Sequence, residues 1–235
     1  MKDRAVSVGL QIGTQPPLSA LRAFLFGARA MRLDSIMVID HFQNVFPPAI
    51  WDSELTWLAT QRRTPNEFFD YQVLLGYLAS RVGSMSLGVG VTEPIRRHPL
   101  LIAQAMMTLS HLTRHAPILG IGAGERMNLD PWRRAGSTHP FGERFNPLVD
   151  FIPDHYARRT MDEAIAAVPQ AVLTEGPLLW GTLQQVTAKL RTFAEAGMRH
   201  VVLAPVSGLV SKPAALYGLW ATGRIARSLR QNLVI

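Results

Sequence analysis

The sequence predicts an α/β fold built on a parallel sheet, and two observations support this prediction. Short apolar strands alternate with amphipathic helices along residues 6–121, a pattern typical of βα units that cover both faces of a sheet. Polar residues directly follow three of these strands, as Asp40-His41, Thr92-Glu93 and Glu125-Arg126. Because parallel sheets carry chemistry at the carboxyl ends of their strands, we expect a functional site there, in either a barrel or a doubly wound sheet.

The first two βα units precede residue 82. Residues 6–12 form an apolar run that predicts a strand, and residues 18–31 carry apolar side chains at helical spacing. Residues 35–39 predict the second strand. A long loop with Pro47-Pro48 follows, and then a helix over residues 67–81.

The next two units repeat the pattern. Residues 86–91 predict a third strand, residues 99–112 a helix, and residues 117–121 a fourth strand that runs into three glycines spaced as GxGxG. Residues 128–159 show no sustained period, so we interpret this segment as irregular.

The C-terminal part returns to βα units. After a short predicted helix over residues 160–168, residues 183–196 form an amphipathic helix that ends at Gly197. Residues 201–206 predict a further strand, and residues 213–229 predict a closing helix.

Composition narrows the classes of function. The chain has no cysteine, which excludes disulfides and thiolate chemistry, and its formal net charge of +7 favours anionic partners. Its arginines are scattered as pairs without a nucleic-acid-binding motif, so we do not expect nucleic-acid binding. No apolar run reaches the ~18 residues of a membrane span and the N-terminus lacks a signal-peptide pattern, so we expect a cytoplasmic protein without membrane insertion.

Two titratable residues are candidates for proton transfer. His41 follows an apolar strand, where an imidazole can exchange a proton near neutral pH or can simply bond to the backbone at the strand end. Glu125 follows the glycines, which allow a ligand to approach closely, or it complements a helix N-terminus. The glycine run lacks dinucleotide-binding spacing and a Walker lysine, so we do not expect a dinucleotide or phosphate loop there. The histidines lack the spacing of metal ligands, so we expect no metal.

Three stretches, in this order, resemble a known family: VIDHFQ, LGVGVTEPIRRHPLLIAQAMMTL and ILGIGAGERMN. They are similar to the luciferase-like oxidoreductases that use the deazaflavin coenzyme F420, in particular the glucose-6-phosphate dehydrogenase and phthiodiolone ketoreductase type. The resemblance covers about residues 6–130 and 170–230. It implies a (β/α)8 TIM barrel with the coenzyme at its C-terminal mouth, a small-molecule substrate, and usually a homodimer.

The resemblance also implies roles for individual residues. His41 would be the active-site histidine, and Glu125 the acidic residue that donates or accepts a proton. A non-proline cis peptide between Gly90 and Val91 would support the coenzyme ring. The remaining positions implied to contact the coenzyme are Asp40, Glu93, Gly124 and Asn128.

The chain departs from the family pattern in its middle. Strands five and six of the barrel and the glycine-rich phosphate-binding segment have no visible counterpart, and residues 178–180 are at most a remnant of strand seven. We therefore predict one incomplete barrel domain over residues 1–235: a first half to residue 127, an irregular junction at 128–169 and C-terminal units from 170 onward. Open edges at strands four and eight would expose apolar residues, which a dimer could cover.

Several functions remain open. The first is hydride transfer between F420 and an organic carbonyl or alcohol, with Arg96-Arg97 as a contact for the anionic tail of the coenzyme. The alternatives are a non-catalytic flavin-binding or dimerising paralogue, an FMN-dependent monooxygenase, and a folded relic without ligand. Asn44-Val45-Phe46 replace the tryptophan that follows this motif in the sugar-phosphate dehydrogenases, which argues against that substrate class.

Overall fold

The structure is a computed structural model that describes residues 6–62, 64–129, 156–167 and 179–231. Most of the predicted irregular junction, residues 130–155, and residues 170–178 of the predicted C-terminal units lie outside this range.

A parallel sheet forms the centre of the fold. Its strands among the described residues are β1 (Ser7–Ile12), β2 (Ser35–Val38), β3 (Ser86–Thr92), β4 (Ile118–Ile121) and β5 (His200–Leu203). Their order is β4-β3-β2-β1-β5, and every pair is parallel. The last strand returns to pair with the first, with Ser7 opposite His200, as happens where a barrel closes. The prediction of an incomplete α/β barrel is thus confirmed.

Helices connect and cover the strands. The described helices are α1 (Leu18–Ala30), α2 (Tyr71–Ala79), α3 (Pro99–Leu112), α4 (Arg126–Leu129), α5 (Arg158–Ala166), α6 (Leu183–Glu195) and α7 (Lys212–Gln231). Three short 3-10 turns add to them, at Pro48–Ile50, Trp57–Thr60 and Val206–Leu209.

Local signals explain several helix ends. A capping box between Thr182 and Gln185 begins α6, and Gly197, with a φ of +110°, follows its end as predicted. Helix α2 begins at Tyr71 and not at the predicted residue 67, because the side chain of Asp70 caps it by accepting from the backbone N–H groups of Gln72 and Val73.

Three further predictions differ from the structure. Asn128 lies in the short helix α4 and not in an irregular segment. Strand β5 ends at Leu203, before Pro205, which has no N–H to continue the pairing. Leu179 and Trp180 are not in a strand, so the described part of the proposed strand-seven remnant is not a strand.

The core lies between the sheet and its helices. Val8, Leu10 and Ile12 alternate along β1 and are at most 2% exposed. They pack with apolar residues of α1 and α7, including Leu21, Leu25, Ile225 and Leu229. This alternation aims one face of the strand at the helices and the other at the barrel interior.

The two ends of the sheet are edge strands among the described residues, as predicted for strands four and eight. In β4 the side chains of Leu119 and Ile121 are 38% and 57% exposed. None of the helices in the described ranges is long and apolar enough to cross a membrane.

Candidate active site

The carboxyl ends of β2, β3 and β4 meet at one place in the fold. These strands are neighbours in the sheet, so the polar residues that follow them come together as expected. His41 Nε2 lies 3.8 Å from Glu125 Oε2, although the two residues are far apart in sequence. Their side chains are 25% and 32% exposed, so the pair is accessible to a ligand.

The contacts of His41 define how it can carry a proton. Its Nδ1 lies 3.2 Å from the backbone oxygen of Gln43, which can only accept a hydrogen bond. Nδ1 therefore carries the proton, and Nε2 of the neutral ring presents its lone pair towards Glu125. In this tautomer Nε2 is the ring nitrogen left to accept a proton from a ligand.

Asn128 ties the two sides of this pair together. Its Oδ1 accepts from the backbone N–H groups of Phe42 and Gln43 at 2.7 and 3.0 Å, and its Nδ2 donates to Glu125 Oε2 at 2.9 Å. The residue is only 3% exposed. Because both ends of the amide are used, Asn128 positions Glu125 against the loop that carries His41.

The peptide bond between Gly90 and Val91 in β3 is cis, as the resemblance implied. Gln11, on β1, donates from its side-chain nitrogen to the carbonyl of Gly90 at 3.0 Å. The side chain of Val91 is 53% exposed. The strand thus presents an apolar, accessible surface at the same end of the sheet as the acid-base pair.

The glycine run that begins in β4 leaves room for the side chain of Val91. A Cβ on Gly120 or Gly122 would lie 2.9 or 3.1 Å from the side-chain methyl groups of Val91. Gly124 has a φ of +84°, and a Cβ there would lie 2.9 Å from Leu129. Packing and backbone conformation explain these glycines without a phosphate-binding loop.

Asp40 and Glu93, two predicted coenzyme contacts, are occupied by protein groups. Asp40 Oδ2 lies 3.1 Å from Arg96 Nη2 and accepts from the Thr92 hydroxyl at 2.7 Å. Glu93 pairs with Arg96 and accepts from the backbone N–H groups of Ile95 and Arg96. Their side chains are 9% and 5% exposed, so the structure places them beneath the site.

Arg96 and Arg97, proposed as contacts for the coenzyme tail, also form ion pairs within the protein. Arg96 joins Asp40 and Glu93, and Arg97 pairs with Asp70 at the start of α2. These ion pairs give the tail contact no support.

Two neighbours of the site were missed in the sequence. Gln11 reaches Gly90, and its amide, the only one in an otherwise apolar strand, was the available signal. The ring of Phe68 lies 6.0 Å from that of His41 and had no sequence signal. In the described ranges no three His, Cys, Asp or Glu residues are grouped so that they could hold a metal ion.

Comparison with known proteins finds relatives that are similar over part of the chain. The chain is 39% identical over 113 residues to a phthiodiolone/phenolphthiodiolone dimycocerosates ketoreductase from Mycobacterium sp. (strain JLS), which covers 47% of this chain and 30% of that protein. It is 33% identical over 109 residues to an F420-dependent glucose-6-phosphate dehydrogenase from Kineococcus radiotolerans, covering 46% and 28%. The matches therefore span only about a third of the length of these relatives.

Two solved structures are similar at low identity. The coenzyme F420-dependent tetrahydromethanopterin reductase from Methanopyrus kandleri has a TM-score of 0.41 and 21% identity, covering 55% of this chain and 30% of that one. An F420-dependent secondary alcohol dehydrogenase in complex with an F420-acetone adduct has a TM-score of 0.46 and 14% identity, covering 95% and 84%.

The family model described as luciferase-like monooxygenase matches residues 8–152. This range is more than half of the chain and includes β1 to β4 with the His41 and Glu125 positions. The chain belongs to the luciferase-like monooxygenase family.

Proposed function

We propose that the chain is an oxidoreductase that moves hydride between the deazaflavin coenzyme F420 and an organic carbonyl or alcohol. The observation that carries the proposal is the approach of His41 Nε2 to Glu125 Oε2, at 3.8 Å, beside the exposed Val91. Relatives named for F420 or for ketone reduction support the choice of coenzyme and reaction.

The residues around Val91 fit a flat aromatic ring. Val91 exposes an apolar side chain, and the glycines at 120 and 122 keep other side chains away from it. Gly124 and Asn128 would line the ring pocket. The ring would rest against Val91 with His41 and Glu125 at its side.

The anionic tail of the coenzyme fits less well. Arg96 and Arg97 are held in ion pairs, so another part of the chain must supply the cationic or backbone donors. The roles of Asp40 and Glu93 would then be indirect: they fix Arg96 and the strand ends below the ring.

Proton transfer is the task of the chain's own side chains. When bound, the coenzyme supplies or accepts the hydride. Either His41 Nε2 or the second oxygen of Glu125 takes or returns the hydroxyl proton, because Nδ1 of His41 is bound to a carbonyl and Oε2 of Glu125 is bound to Asn128. Asn128 does not exchange a proton but keeps Glu125 in place.

The test separates binding from turnover. Full-length protein is titrated with F420 and with FMN by fluorescence, and turnover is measured with a panel of small ketones and secondary alcohols. We expect F420 binding, and a loss of kcat of about 100-fold or more for His41→Ala with binding nearly unchanged. His111→Ala, on the exposed side of α3, is the matched control.

Other outcomes identify the alternatives. Binding of FMN in place of F420 would favour a flavin-dependent monooxygenase. Failure to bind either coenzyme would refute the proposal.

A non-catalytic, dimerising paralogue is the second candidate. The exposed apolar side chains of β4 favour it, since an unpaired apolar edge is commonly covered by another chain. F420 binding without turnover, together with a dimer in light scattering, would support this candidate over the first.

A further inference from the structure

A cavity that opens to solvent lies at the carboxyl ends of β1 and β5. It has a volume of about 270 Å³ and is lined by the loop after β1, the first turns of α1, the Trp57–Thr60 turn and the Val206–Leu209 turn. Its walls are mostly apolar and include Ile12, Leu21, Phe24, Trp57 and Leu209. The volume is slightly below the ~300 Å³ at which small-molecule pockets begin, so it suits a ligand smaller than a drug.

One charged side chain interrupts these apolar walls. Arg62 is 4% exposed, and its Nε and Nη1 are buried with no hydrogen-bond partner within the described ranges. Its guanidinium carbon lies 5.2 Å from the centre of the Trp51 ring. Burial lowers the pKa of Arg62, and the electrostatic effect of Glu67 opposes this only in part.

A buried guanidinium without an anion is unfavourable in a folded protein. On burial the guanidinium loses its hydration, and this loss is offset only where a hydrogen-bonding or charged partner replaces the water. Since Nε and Nη1 of Arg62 have no hydrogen-bond partner in the described ranges, a bound anion would supply the missing partner.

The other polar groups of the cavity wall are already in use. Gln11 donates to the carbonyl of Gly90, and Gln15 donates to the carbonyl of Pro65 at 2.7 Å. Trp57, also on the wall, donates its indole N–H to the carbonyl of Gly208 at 2.9 Å. Arg62 is therefore the side-chain donor left for an anion among the described wall residues.

We propose that this cavity binds a small monocarboxylate with an apolar body, whose carboxylate pairs with Arg62. A guanidinium matches the two oxygens of a carboxylate with two parallel hydrogen bonds. The apolar walls match the rest of such a molecule. A phosphate dianion fits poorly, since its further oxygens would face these walls without donors.

The cavity borders the candidate active site without sharing its acid-base residues. Gln11 lines the cavity and contacts Gly90, while His41, Glu125 and Asn128 are not among its wall residues. The proposal goes beyond the oxidoreductase function, and carboxylate binding can be measured without any coenzyme.

The test is calorimetric titration of the full chain with benzoate and hexanoate, with benzamide as the neutral analogue and inorganic phosphate as the competing anion. We expect benzoate or hexanoate to bind, and benzamide and phosphate to bind at least about tenfold more weakly. Arg62→Met should weaken carboxylate binding at least about tenfold. Arg22→Met, at an exposed arginine on α1, should change it less than about twofold.

A second variant keeps the positive charge of Arg62 and fills the volume of the cavity. Ala20 lines the cavity from the first turn of α1, and Ala20→Phe should fill it and weaken binding while Arg62 remains. Carboxylate binding that is unchanged by either Arg62→Met or Ala20→Phe would overturn the proposal. Equal affinity for benzoate and benzamide, phosphate binding as tight as that of the carboxylates, or no binding at all would also overturn it.

Discussion

The central strands of the sheet and its β4 edge bury their side chains to very different degrees. All four residues of β2 are buried, and Leu87 and Val89 of β3 are fully buried, whereas Ile121 on β4 is 57% exposed. The candidate site uses both regions, because His41 follows β2 and Glu125 follows β4. One half of the acid-base pair thus stands on a rigid support and the other half on an open edge.

This difference explains the arrangement around Asn128. An edge strand has pairing on one side only, so Glu125 needs another attachment to keep its distance from His41. Asn128 supplies it by binding the loop after β2 and Glu125 at once. The predictions below change the central and the edge contacts separately.

The largest effect is expected for the ion pairs beneath the central strands. Arg96→Met would leave the carboxylates of Asp40 and Glu93 buried without their cation, and we expect a loss of about 3–5 kcal/mol in the free energy of unfolding. The measurement is urea denaturation at neutral pH.

The neighbouring arginine is the matched control. Arg97 pairs with Asp70 with both side chains more than a third exposed, so Arg97→Met should cost no more than about 1 kcal/mol. Similar losses for the two variants would show that the cluster around Arg96 is not held by its charges.

Removing an apolar side chain should cost more stability in the central strand β3 than in the edge strand β4. Leu87→Ala removes a fully buried side chain from β3 and should cost about 2–5 kcal/mol. Ile121→Ala removes a side chain that is 57% exposed and should cost less than about 1 kcal/mol. Thermal and urea unfolding of both variants measure this.

A large loss for Ile121→Ala would reverse the comparison at the edge. It would mean that the side chains of β4 are buried against another molecule in solution. If the loss of stability depended on protein concentration, that molecule would be a second copy of the chain.

The contact between edge and centre is tested by Asn128→Asp. The new carboxylate keeps an acceptor for the backbone N–H groups of Phe42 and Gln43 but places a charge against Glu125 Oε2, where the amide donated at 2.9 Å. We expect a loss of about 1–3 kcal/mol at neutral pH, measured by urea denaturation.

A double-mutant cycle provides the control for this contact. Glu125→Gln removes the charge that the new carboxylate meets, so the double variant should recover part of the stability. Additive losses would contradict a direct interaction between the two positions.

The strands were predictable because each is an apolar run closed by a polar or glycine residue. Their observed ends lie within one residue of the prediction, apart from the C-terminal end of β5, where Pro205 stops the pairing. The predicted start of α2 at residue 67 was wrong. Phe68 and Phe69 continue the apolar pattern of the helix, but the cap at Asp70 decides where its hydrogen bonding begins.

The sequence predicted which strand ends form the candidate site, but it did not predict the hydrogen bonds that connect them. His41 and Glu125 meet because β2 and β4 both flank β3, which follows from the sequential strand order of a barrel and not from every parallel sheet. The bonds of Asn128 to backbone groups 85 and 86 residues away leave no local pattern. The burial of Arg62 likewise depends on turns that come from distant parts of the chain.

The smallest effect is expected at the periphery, in the contact between Asp52 and α5. The backbone N–H of Leu55 and then the side chain of Arg158 lower the pKa of Asp52 below its ordinary value of 3.8. A carboxyl group with a lowered pKa stabilises the fold above its unfolded-state pKa, and this contribution is lost as the pH falls through the folded-state value. Asp52→Asn should therefore be slightly less stable than the parent at pH 6, and the difference should vanish as the pH falls through the folded-state pKa of Asp52. Urea denaturation across this range measures it. A difference that persists in acid would mean that the contact is steric and not ionic, unlike the charged cluster beneath the central strands.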